Sequence, residues 1–252
     1  MARHAAQAGG AVIRSGGREI ASVETKGRGD YVTAVDHESQ RVIVSVLRAA
    51  FPDLPVLAEE GAGAELSDGW VVDPLDGTTN HILGFPVVSV SVALMEQGQP
   101  VVGVVDAPLL GWRFEAARGA GAHDAEGRRL RVSRRPVEQA VVATGFPFRA
   151  PERRPRYLRM LDAVLAEVED GRRAGSAALD LALTAAGVFD GFFELGLRVW
   201  DIAAGALLVA EAGGVVSEWE GEGAPWGSGD ILAGSPAVHA ALRRGAAATA
   251  TA

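Results

Sequence analysis

Two carboxylates, a glycine and two threonines lie within one eight-residue run, Asp73 to Asn80, directly after an apolar segment. Magnesium prefers oxygen ligands in near-octahedral geometry, so carboxylates spaced like Asp73 and Asp76 on a proline-stiffened turn can share one ion or bridge two. Gly77 allows a ligand to approach the backbone closely. A short helix opening at Thr78 would point free N–H groups at a phosphate. The run therefore predicts a site for divalent metal and phosphate.

The same run also has an ordinary structural interpretation. Asp, Pro, Gly, Thr and Asn are all common in turns, so a strand that ends in a β-turn would use the same residue types. The match to Asp-Pro-x-Asp-Gly-Thr fixes five positions, and so specific a match arises by chance far less often than a loose motif. This specificity favours the metal-site interpretation.

Acidic residues that could take part in the same site occur at three other places along the chain: Asp36, the pair Glu59-Glu60, and Asp201. Each alone has an ordinary explanation, because glutamate pairs are usually exposed and aspartate often caps a helix. Their joint order along the chain favours a shared function.

The composition limits the classes of protein to consider. The chain has 252 residues, of which 48% are hydrophobic and 22% charged, enough for one large domain or two small ones. The absence of cysteine excludes disulfides, thiolate catalysis and cysteine-type zinc sites. Met1 to Gly10 lacks the apolar stretch of a signal peptide, and no apolar run reaches the roughly 18 residues that a membrane span needs. We therefore expect a cytoplasmic protein with no membrane partner.

The net charge of −8 argues against broad binding to nucleic acid. A local basic cluster, defined as Arg128, Arg129, Arg131, Arg134 and Arg135, is interpreted as a solvated hairpin edge. Contact with a polyanion or an anionic partner is the alternative interpretation of this cluster.

Apolar periodicity predicts an α/β (α+β) chain with two halves, residues 1–138 and 139–252. The first fifty residues predict two helices, with Asp36 near the start of the second and a mobile glycine-rich loop between them. Short strands then predict an antiparallel meander, with a flexible loop from Gly61 to Gly69. The second half predicts alternating strands and helices, ending in a disordered tail from Ala246 to Ala252. The predicted strands are 56–58, 70–72, 87–94, 101–105, 112–116, 141–144, 189–195 and 215–216, and the predicted helices of the second half are 154–170, 177–188 and 202–212.

Taken together, these motifs resemble the inositol monophosphatase family over nearly the whole chain. The resemblance implies a layered α-β-α-β-α sandwich, with an antiparallel sheet in the N-terminal half, a mixed sheet in the C-terminal half, and the site between them. The residues on which this resemblance rests are Lys26, Asp30-Tyr31-Val32-Thr33, Asp36, Glu59-Glu60, Asp73 to Asn80, Ala117 to Ala122, Trp200-Asp201-Ile202-Ala203-Ala204-Gly205 and Glu211-Ala212-Gly213-Gly214.

The resemblance also implies roles for individual residues. Glu60, Asp73 and the Leu75 carbonyl would bind one Mg²⁺, and Asp73, Asp76 and Asp201 a second. The site would hold two or three ions in all, with Mn²⁺ as an alternative. Thr78, Asp36 and Glu60 would be catalytic, with Thr78 hydrogen-bonded to Asp36 and orienting or deprotonating the attacking water. The N–H groups of Gly77 and Thr78 would bind phosphate, and Asp76, Ser176, Ala177 and Glu194 would contact the substrate.

The function implied is Mg²⁺-dependent, lithium-sensitive hydrolysis of myo-inositol monophosphate, by direct attack of water, in a homodimer. Thr79 and Glu194 favour the inositol branch of the family, because histidinol-phosphate phosphatases tend to carry lysine at the position of Thr79. Histidinol phosphate and fructose 1,6-bisphosphate are the alternative substrates. Some bacterial members bind the transcription machinery, so an interaction protein with secondary phosphatase activity is the alternative of a different class.

Overall fold

The computed structural model describes residues 1–16, 23–27, 30–61, 67–221 and 223–249, without the side chains of Lys26 and Asp30. The elements of the first half are α1 Ala2–Ser15, β1 Val23–Gly27, β2 Asp30–Thr33, α2 Ala34–Ala50, β3 Val56–Ala58, β4 Gly69–Asp76, α3 Thr78–Leu83, β5 Ser89–Glu96, β6 Gln99–Ala107, β7 Trp112–Ala117 and β8 Gly121–Asp124. Those of the second half are β9 Val141–Thr144, α4 Arg154–Leu165, β10 Asp170–Arg172, α5 Ala177–Ala185, β11 Gly191–Glu194, α6 Val199–Glu211, β12 Val215–Glu218, β13 Ile231–Gly234 and α7 Pro236–Ala248.

Two large sheets carry the fold, one in each half of the chain. The first has six strands in the order β3-β4-β5-β6-β7-β8, and the second has five in the order β10-β9-β11-β13-β12. The second sheet is mixed, as predicted, because β9 pairs in parallel with β10 and β11 while β13 pairs antiparallel to β11 and β12. The division of the chain at residue 138 stays a prediction.

The first sheet is antiparallel from β4 to β8, as the meander predicts, but its edge pair differs from the prediction. Strand β3 runs parallel to β4, with Val56 opposite Trp70 and Ala58 opposite Val72. Parallel neighbours require a crossover connection, and part of that connection, residues 62–66, lies outside the described residues. Both strands therefore end at the same edge of the sheet.

Three apolar cores separate five layers and confirm the predicted sandwich. The first core packs α1 and α2 against one face of the six-stranded sheet, through residues such as Ile13, Ile43 and Val90. The second lies between the two sheets and contains α5 and α6. The third packs α4 and α7 on the outer face of the five-stranded sheet, through Tyr157 and Leu242.

Helices α5 and α6 are apolar on nearly all sides because they fill the middle layer. All nine residues of α5 are buried. Helix α6 lies directly on the backbone of β6, since a Cβ added at Gly103 would lie 2.9 Å from the carbonyl oxygen of Ala204. At its far end, Glu211 accepts hydrogen bonds from the N–H groups of Gly119 and Gly121, at 2.8 Å each. The motifs around Ala117 and Glu211 therefore join α6 to the turn between β7 and β8.

Several predicted boundaries were wrong. The segment from Lys26 to Asp30, predicted as a loop, belongs to an antiparallel hairpin of β1 and β2, although residues 28–29 lie outside the described part. Of the predicted loop from Gly61 to Gly69, residues 62–66 also lie outside it. The predicted tail is helical as far as Ala248, with Ala246 buried, and residues 250–252 are not described. Helices α4 and α5 end earlier than predicted, at Leu165 and Ala185.

No helix among the described residues combines the length and the apolar character that crossing a membrane requires.

Candidate active site

A cavity of about 150 Å³ lies where the ends of β4, β9 and β11 meet the first turns of α3, α5 and α6. Its lining includes the predicted site residues Asp73, Leu75, Asp76, Gly77, Thr78, Ser176, Ala177, Glu194 and Asp201. Residues more than a hundred positions apart in the sequence thus share one pocket between the two halves of the chain.

Strand β4 carries the first two carboxylates. The strand continues through Asp73 to Asp76, and its pairing with β5 is irregular between these two residues. A bulge of this kind re-aims side chains at the end of a strand. It is held by the Leu75 N–H, which donates to Asp73 Oδ1 at 2.9 Å, and by Ser39, whose hydroxyl donates to the Pro74 carbonyl at 2.8 Å. The motif is therefore an irregular strand end rather than the predicted turn after a strand.

Asp201, in α6, lines the same cavity as Asp73 and Asp76. It is the third residue of that helix, where its Oδ2 accepts a hydrogen bond from the Arg198 N–H at 2.7 Å. The start of the helix is tied to the first sheet by Ser91, whose hydroxyl donates to the Trp200 carbonyl at 3.0 Å. The Asp73 side chain lies near enough to that of Asp201 for each to act on the pKa of the other.

Asp76 faces the second half of the chain. Its Oδ2 accepts hydrogen bonds from the Ser176 hydroxyl and the Ala178 N–H, each at 2.8 Å. These two donors leave the other carboxylate oxygen of Asp76 available to the cavity. The first turn of α5 thus fixes the orientation of an acidic side chain on β4.

Of the two adjacent glutamates, Glu59 lines the cavity and the predicted ligand Glu60 does not. The strand β3 ends at Ala58 and a turn follows, in which the Glu59 N–H donates to the Val72 carbonyl at 3.1 Å. Glu59 lines the cavity, and its charge acts on Asp73 and Asp76. The Glu60 backbone is instead held by the Gln40 side chain, through contacts of 2.9 and 3.0 Å.

Burial and mutual repulsion make these acids hard to ionise together. Burial, followed by the charges of Glu59, Asp76 and Asp201, raises the pKa of Asp73 well above its ordinary value. Burial raises the pKa of Asp76 to about 6, and burial with the charge of Asp76 raises that of Asp201 to about 7. A bound cation removes both penalties. The donor set, carboxylates with the Leu75 carbonyl nearby, suits a hard ion such as Mg²⁺.

The side chains of the described residues are not yet arranged around a single ion. Within the described ranges, no group of three or more Asp, Glu, His or Cys side chains is gathered closely enough to hold a metal. Asp76 is held by α5 through the Ser176 hydroxyl. Binding an ion would therefore require small rotations of these side chains.

Thr78 and Asp36 form the hydroxyl–carboxylate pair that was predicted. The Thr78 hydroxyl donates to Asp36 Oδ1 at 2.9 Å and lies 3.2 Å from the Leu75 carbonyl. Asp36 is buried in the first turn of α2, and its Oδ2 accepts from the N–H and the hydroxyl of Thr33. Asp36 therefore acts as a cap for α2 and as the partner of Thr78.

Gly77 begins α3 in a conformation that favours glycine. Its φ is +97°, and an added Cβ would lie 3.0 Å from the Val87 carbonyl oxygen and 3.2 Å from that of Gly175. Helix α3 follows from Thr78, as predicted. The backbone at Gly77 thus reaches the cavity wall in a space that leaves little room for a side chain.

The wall of the cavity opposite the carboxylates is formed by residues that the sequence did not single out. Arg173 lies over the rings of Phe146 and Phe148, at 5.5 and 5.8 Å from their centres. Arg149 also lines the cavity. Glu194 faces these cations, but burial is the larger effect and raises its pKa to about 8. The signal missed in the sequence was the Gly-Phe-Pro-Phe-Arg segment that follows β9.

Two other sequence features have a structural explanation. His81, which directly follows the run from Asp73 to Asn80, is buried beside the site, and burial lowers its pKa. In the basic cluster, Arg128 pairs with Asp124 at 2.6 Å and Arg135 with Asp190 at 3.1 Å. These ion pairs support the interpretation of that cluster as a solvated edge.

Mg²⁺ should stabilise the protein more strongly as the pH rises. The folded-state pKa values of about 6 for Asp76 and about 7 for Asp201 exceed the ordinary value of 3.8. Without a cation, the fold is therefore favoured below pH 4 by these groups, and that contribution is lost as the pH rises through 6 and 7. The increase in melting temperature on adding Mg²⁺, measured from pH 5 to 8, should grow with pH. An increase that is constant or shrinks over this range would contradict the assignment.

Glu59 and Glu60 give a matched pair of variants at neighbouring positions. Glu59→Gln should lower kcat about a hundredfold, because a carboxylate is lost from the metal site. Glu60→Gln should leave kcat within about threefold of the wild type, since its side chain does not line the cavity. Initial rates of phosphate release at saturating Mg²⁺ give kcat for both variants. A larger loss in Glu60→Gln than in Glu59→Gln would restore the original prediction.

Comparison with known proteins identifies the same family as the sequence motifs do. The model of the family described as "Inositol monophosphatase family" matches residues 1–251. A protein of Salmonella typhimurium named Nus factor SuhB is 43% identical over 248 residues, covering 96% of this chain and 92% of the relative. The crystal structure of the extragenic suppressor protein suhB from Bartonella henselae has a TM-score of 0.91 at 40% identity, covering 96% of this chain and 95% of that one. The Thermotoga maritima IMPase has a TM-score of 0.89 at 33% identity, covering 98% and 95%.

Proposed function

We propose that this chain, which belongs to the inositol monophosphatase family, hydrolyses myo-inositol monophosphate with Mg²⁺. Phosphatase activity and metal dependence are general properties of the family, whereas the substrate and the residue roles are our inference. The observation that carries the proposal is the set of four buried or partly buried acids, Asp73, Asp201, Asp76 and Glu59, which two halves of the chain bring to one cavity.

In this proposal, Glu59, Asp73, Asp76, Asp201 and the Leu75 carbonyl hold the metal. When bound, Mg²⁺ supplies positive charge that offsets the charge of the phosphate and makes water more acidic. The carboxylates from β4 and α6 fix the position of that charge at the edge of the cavity. Because Asp201 comes from α6, the same ions would also join the two sheets.

The Thr78 hydroxyl orients the attacking water. Its proton is directed to Asp36 Oδ1, so its oxygen is left to accept a hydrogen bond from water. Thr33 fixes Asp36 in turn, through the first turn of α2. The N–H groups of Gly77 and Thr78 bind phosphate oxygens, as N–H groups at the start of a helix do. Attack by water is direct, with no covalent phospho-enzyme.

Substrate selection is assigned to the wall of the cavity that α5 and β11 form. Ser176 and Ala177 begin α5 there, and Glu194 ends β11, where it can accept hydrogen bonds from the hydroxyl groups of a polyol. A site built to bind hydroxyl groups rejects analogues that lack them, because its polar groups are left unpaired. We therefore infer a polyhydroxylated leaving group, with inositol first among them.

A panel of phosphate esters tests this choice. With Mg²⁺, we expect kcat/KM for myo-inositol 1-phosphate to exceed those for histidinol phosphate and fructose 1,6-bisphosphate by about tenfold or more, the range set by a few hydrogen bonds. Release of inorganic phosphate is the measurement. A higher kcat/KM for histidinol phosphate would instead identify the chain as a histidinol-phosphate phosphatase. A higher kcat/KM for fructose 1,6-bisphosphate would identify it as a fructose-1,6-bisphosphatase.

A second function is supported by the names of the relatives. Eight relatives that are 41–45% identical to this chain share the name Nus factor SuhB. We infer that this chain also binds the transcription machinery. Capture of RNA polymerase on the immobilised chain and on its Asp201→Asn variant tests the inference. Equal capture by both would show binding that needs no catalysis, and capture by neither would contradict the second function.

Three further properties belong to the same proposal: a homodimer, inhibition by lithium, and activity with Mn²⁺ in place of Mg²⁺. Light scattering gives the mass in solution, with a dimer as the expected result. Phosphate release in the presence of Li⁺ or Mn²⁺ tests the other two.

A further inference from the structure

Two segments that line the catalytic cavity follow neighbouring strands of the five-stranded sheet. The parallel strands β9 and β11 end at the same edge, and residues 145–150 and 195–197, which follow them, line the cavity. Strand β13 runs antiparallel to β11 with Ile231 opposite Glu194, so β13 begins at this edge. Asp230, the residue before β13, therefore lies beside the end of β11.

The side chain of Asp230 connects the two cavity-lining segments through one oxygen atom. The Gly196 N–H donates to Asp230 Oδ1 at 2.8 Å, and the Arg153 guanidinium donates to the same oxygen. Arg153 ends a short 3₁₀ helix, Pro151–Arg153, which directly follows residues 145–150. Asp230 is 8% exposed and does not line the cavity itself. It thus links the two segments from outside the cavity.

A backbone contact holds the same stretch of chain. The Leu197 N–H donates to the Gly229 carbonyl at 2.9 Å. A Cβ added at Gly229 would lie 1.8 Å from the Leu197 carbonyl oxygen, so the two backbones are in direct contact. Asp230 adds hydrogen bonds to a charged group at this junction, which are stronger than those between neutral groups.

Glu194 lies where the two cavity-lining segments meet. It directly precedes residues 195–197, and its carboxylate lies over the first residue of the other segment, since a Cβ added at Gly145 would lie 2.0 Å from Glu194 Oε1. A shift of either segment would therefore move this carboxylate. Asp201 follows in the chain, but the start of its helix has a separate contact with the first sheet, from the Ser91 hydroxyl to the Trp200 carbonyl.

A buried aspartate at the opposite end of the same strands provides a contrast. Asp190 directly precedes β11, and its Oδ2 accepts from the Val141 N–H, at the start of β9, at 2.7 Å and pairs with Arg135 at 3.1 Å. Asp190 and Asp230 thus make the same kind of contact, a carboxylate shared by a backbone N–H and an arginine. Asp190 makes it where the strands begin, whereas Asp230 makes it where they end at the cavity.

We propose that Asp230 is a positioning residue for substrate selection, which holds residues 145–150 and 195–197 together so that Glu194 is placed to accept hydrogen bonds from substrate hydroxyl groups. The geometry of a site must be held closely by the residues behind it, because small displacements weaken its hydrogen bonds. The inference rests on the proposed phosphatase function and extends it to a residue outside the cavity.

The test compares Asp230→Ala, which removes the shared acceptor, with Asp230→Asn, which keeps Oδ1. For myo-inositol 1-phosphate, Asp230→Ala should lower kcat/KM about tenfold through KM, the magnitude of one hydrogen bond to a charged group, and Asp230→Asn should stay within about threefold. For p-nitrophenyl phosphate, whose leaving group has no hydroxyl groups, both variants should stay within about twofold. Equal losses on both esters, or a loss in Asp230→Asn as large as in Asp230→Ala, would overturn the proposal.

A double-mutant cycle shows whether Arg153 acts through Asp230. Arg153→Ala should raise KM for the inositol ester at least about threefold in the wild type, and less than about twofold in the Asp230→Ala background, because the two residues then no longer interact. The same increase in both backgrounds would contradict the linkage. If Asp230→Ala does not fold, Arg153→Ala decides alone, and an unchanged KM would overturn the proposal.

Asp190→Ala is the matched control for a loss of stability. It should lower the melting temperature and leave the ratio of kcat/KM for the two esters within about twofold of the wild type. A change of this ratio in Asp190→Ala as large as in Asp230→Ala would show a general loss of packing and would overturn the proposal.

Calorimetry separates this proposal from the phosphatase function. Binding of myo-inositol 1-phosphate is measured with Ca²⁺ in place of Mg²⁺, because its longer and more flexible coordination disfavours turnover. If the wild type hydrolyses neither ester, the phosphatase function fails. About tenfold weaker affinity in Asp230→Ala than in the wild type would still uphold the role of Asp230, while equal affinity, or no binding by the wild type, would overturn it.

Discussion

The Asp201→Asn variant should lose at least about a thousandfold in kcat, or about 4 kcal/mol of transition-state stabilisation. Asp201 is the carboxylate that α6 contributes, and it lies against Asp73. An amide at this position is a poorer ligand for a hard cation and cannot neutralise it. Without metal, the variant should be at least as stable as the wild type, since a buried and repelled acid has been removed.

Two measurements check this expectation together. Phosphate release at saturating Mg²⁺ gives kcat, and thermal unfolding with and without Mg²⁺ gives the contribution of the ion. The Asp190→Asn variant is the control, because it should lose stability while keeping kcat within about threefold. Near-normal kcat in Asp201→Asn would refute the ligand assignment.

The Thr78→Val variant should lower kcat about a hundredfold with little change in KM, a typical loss for a group that acts in proton transfer or positioning. Valine keeps the shape of threonine but cannot accept a hydrogen bond from water or donate to Asp36. The hydroxyl contact with Asp36 Oδ1 at 2.9 Å is then lost.

Thr78→Ser is the matched control, since it restores the hydroxyl and should recover most of kcat. Asp36→Asn should lose a similar factor, and the double variant should lose little more than either single one, because the two residues act as a unit. Fully additive losses, or a rise in KM with kcat unchanged, would contradict the assigned role of Thr78.

The sequence predicts the site well because its strongest signal is local. Asp73, Asp76, Gly77 and Thr78 lie within one short run, and that run forms the strand end and helix start of a single loop in the structure. Asp201 required the family resemblance, since a lone aspartate at the start of a helix has an ordinary capping role. The roles of these residues stay predictions until they are measured.

The choice between Glu59 and Glu60 could not be made from the sequence. Adjacent glutamates give the same local signal, and the folded chain shows that Glu59 lines the cavity. The parallel pairing of β3 with β4 was missed because the sequence between these strands is rich in glycine and acidic residues and has little periodicity.

The hairpin of β1 and β2, the wall formed by Phe146 and Phe148, and the buried Asp180 could not be predicted from local patterns. Each depends on contacts between distant segments. Asp180 sits in an apolar helix whose sequence predicts a buried element, and nothing in its neighbours indicates that its side chain faces a cavity. Tertiary contacts of this kind override what short windows of sequence can indicate.

The most direct test of the metal site is a crystal of the protein grown with Mn²⁺, measured for anomalous scattering. The account predicts anomalous peaks at the cavity edge, within about 2.0–2.6 Å of carboxylate oxygens of Glu59, Asp73, Asp76 and Asp201, the range for hard divalent ions. Carboxylates that stay apart in saturating Mn²⁺, with no peak among them, would contradict the account.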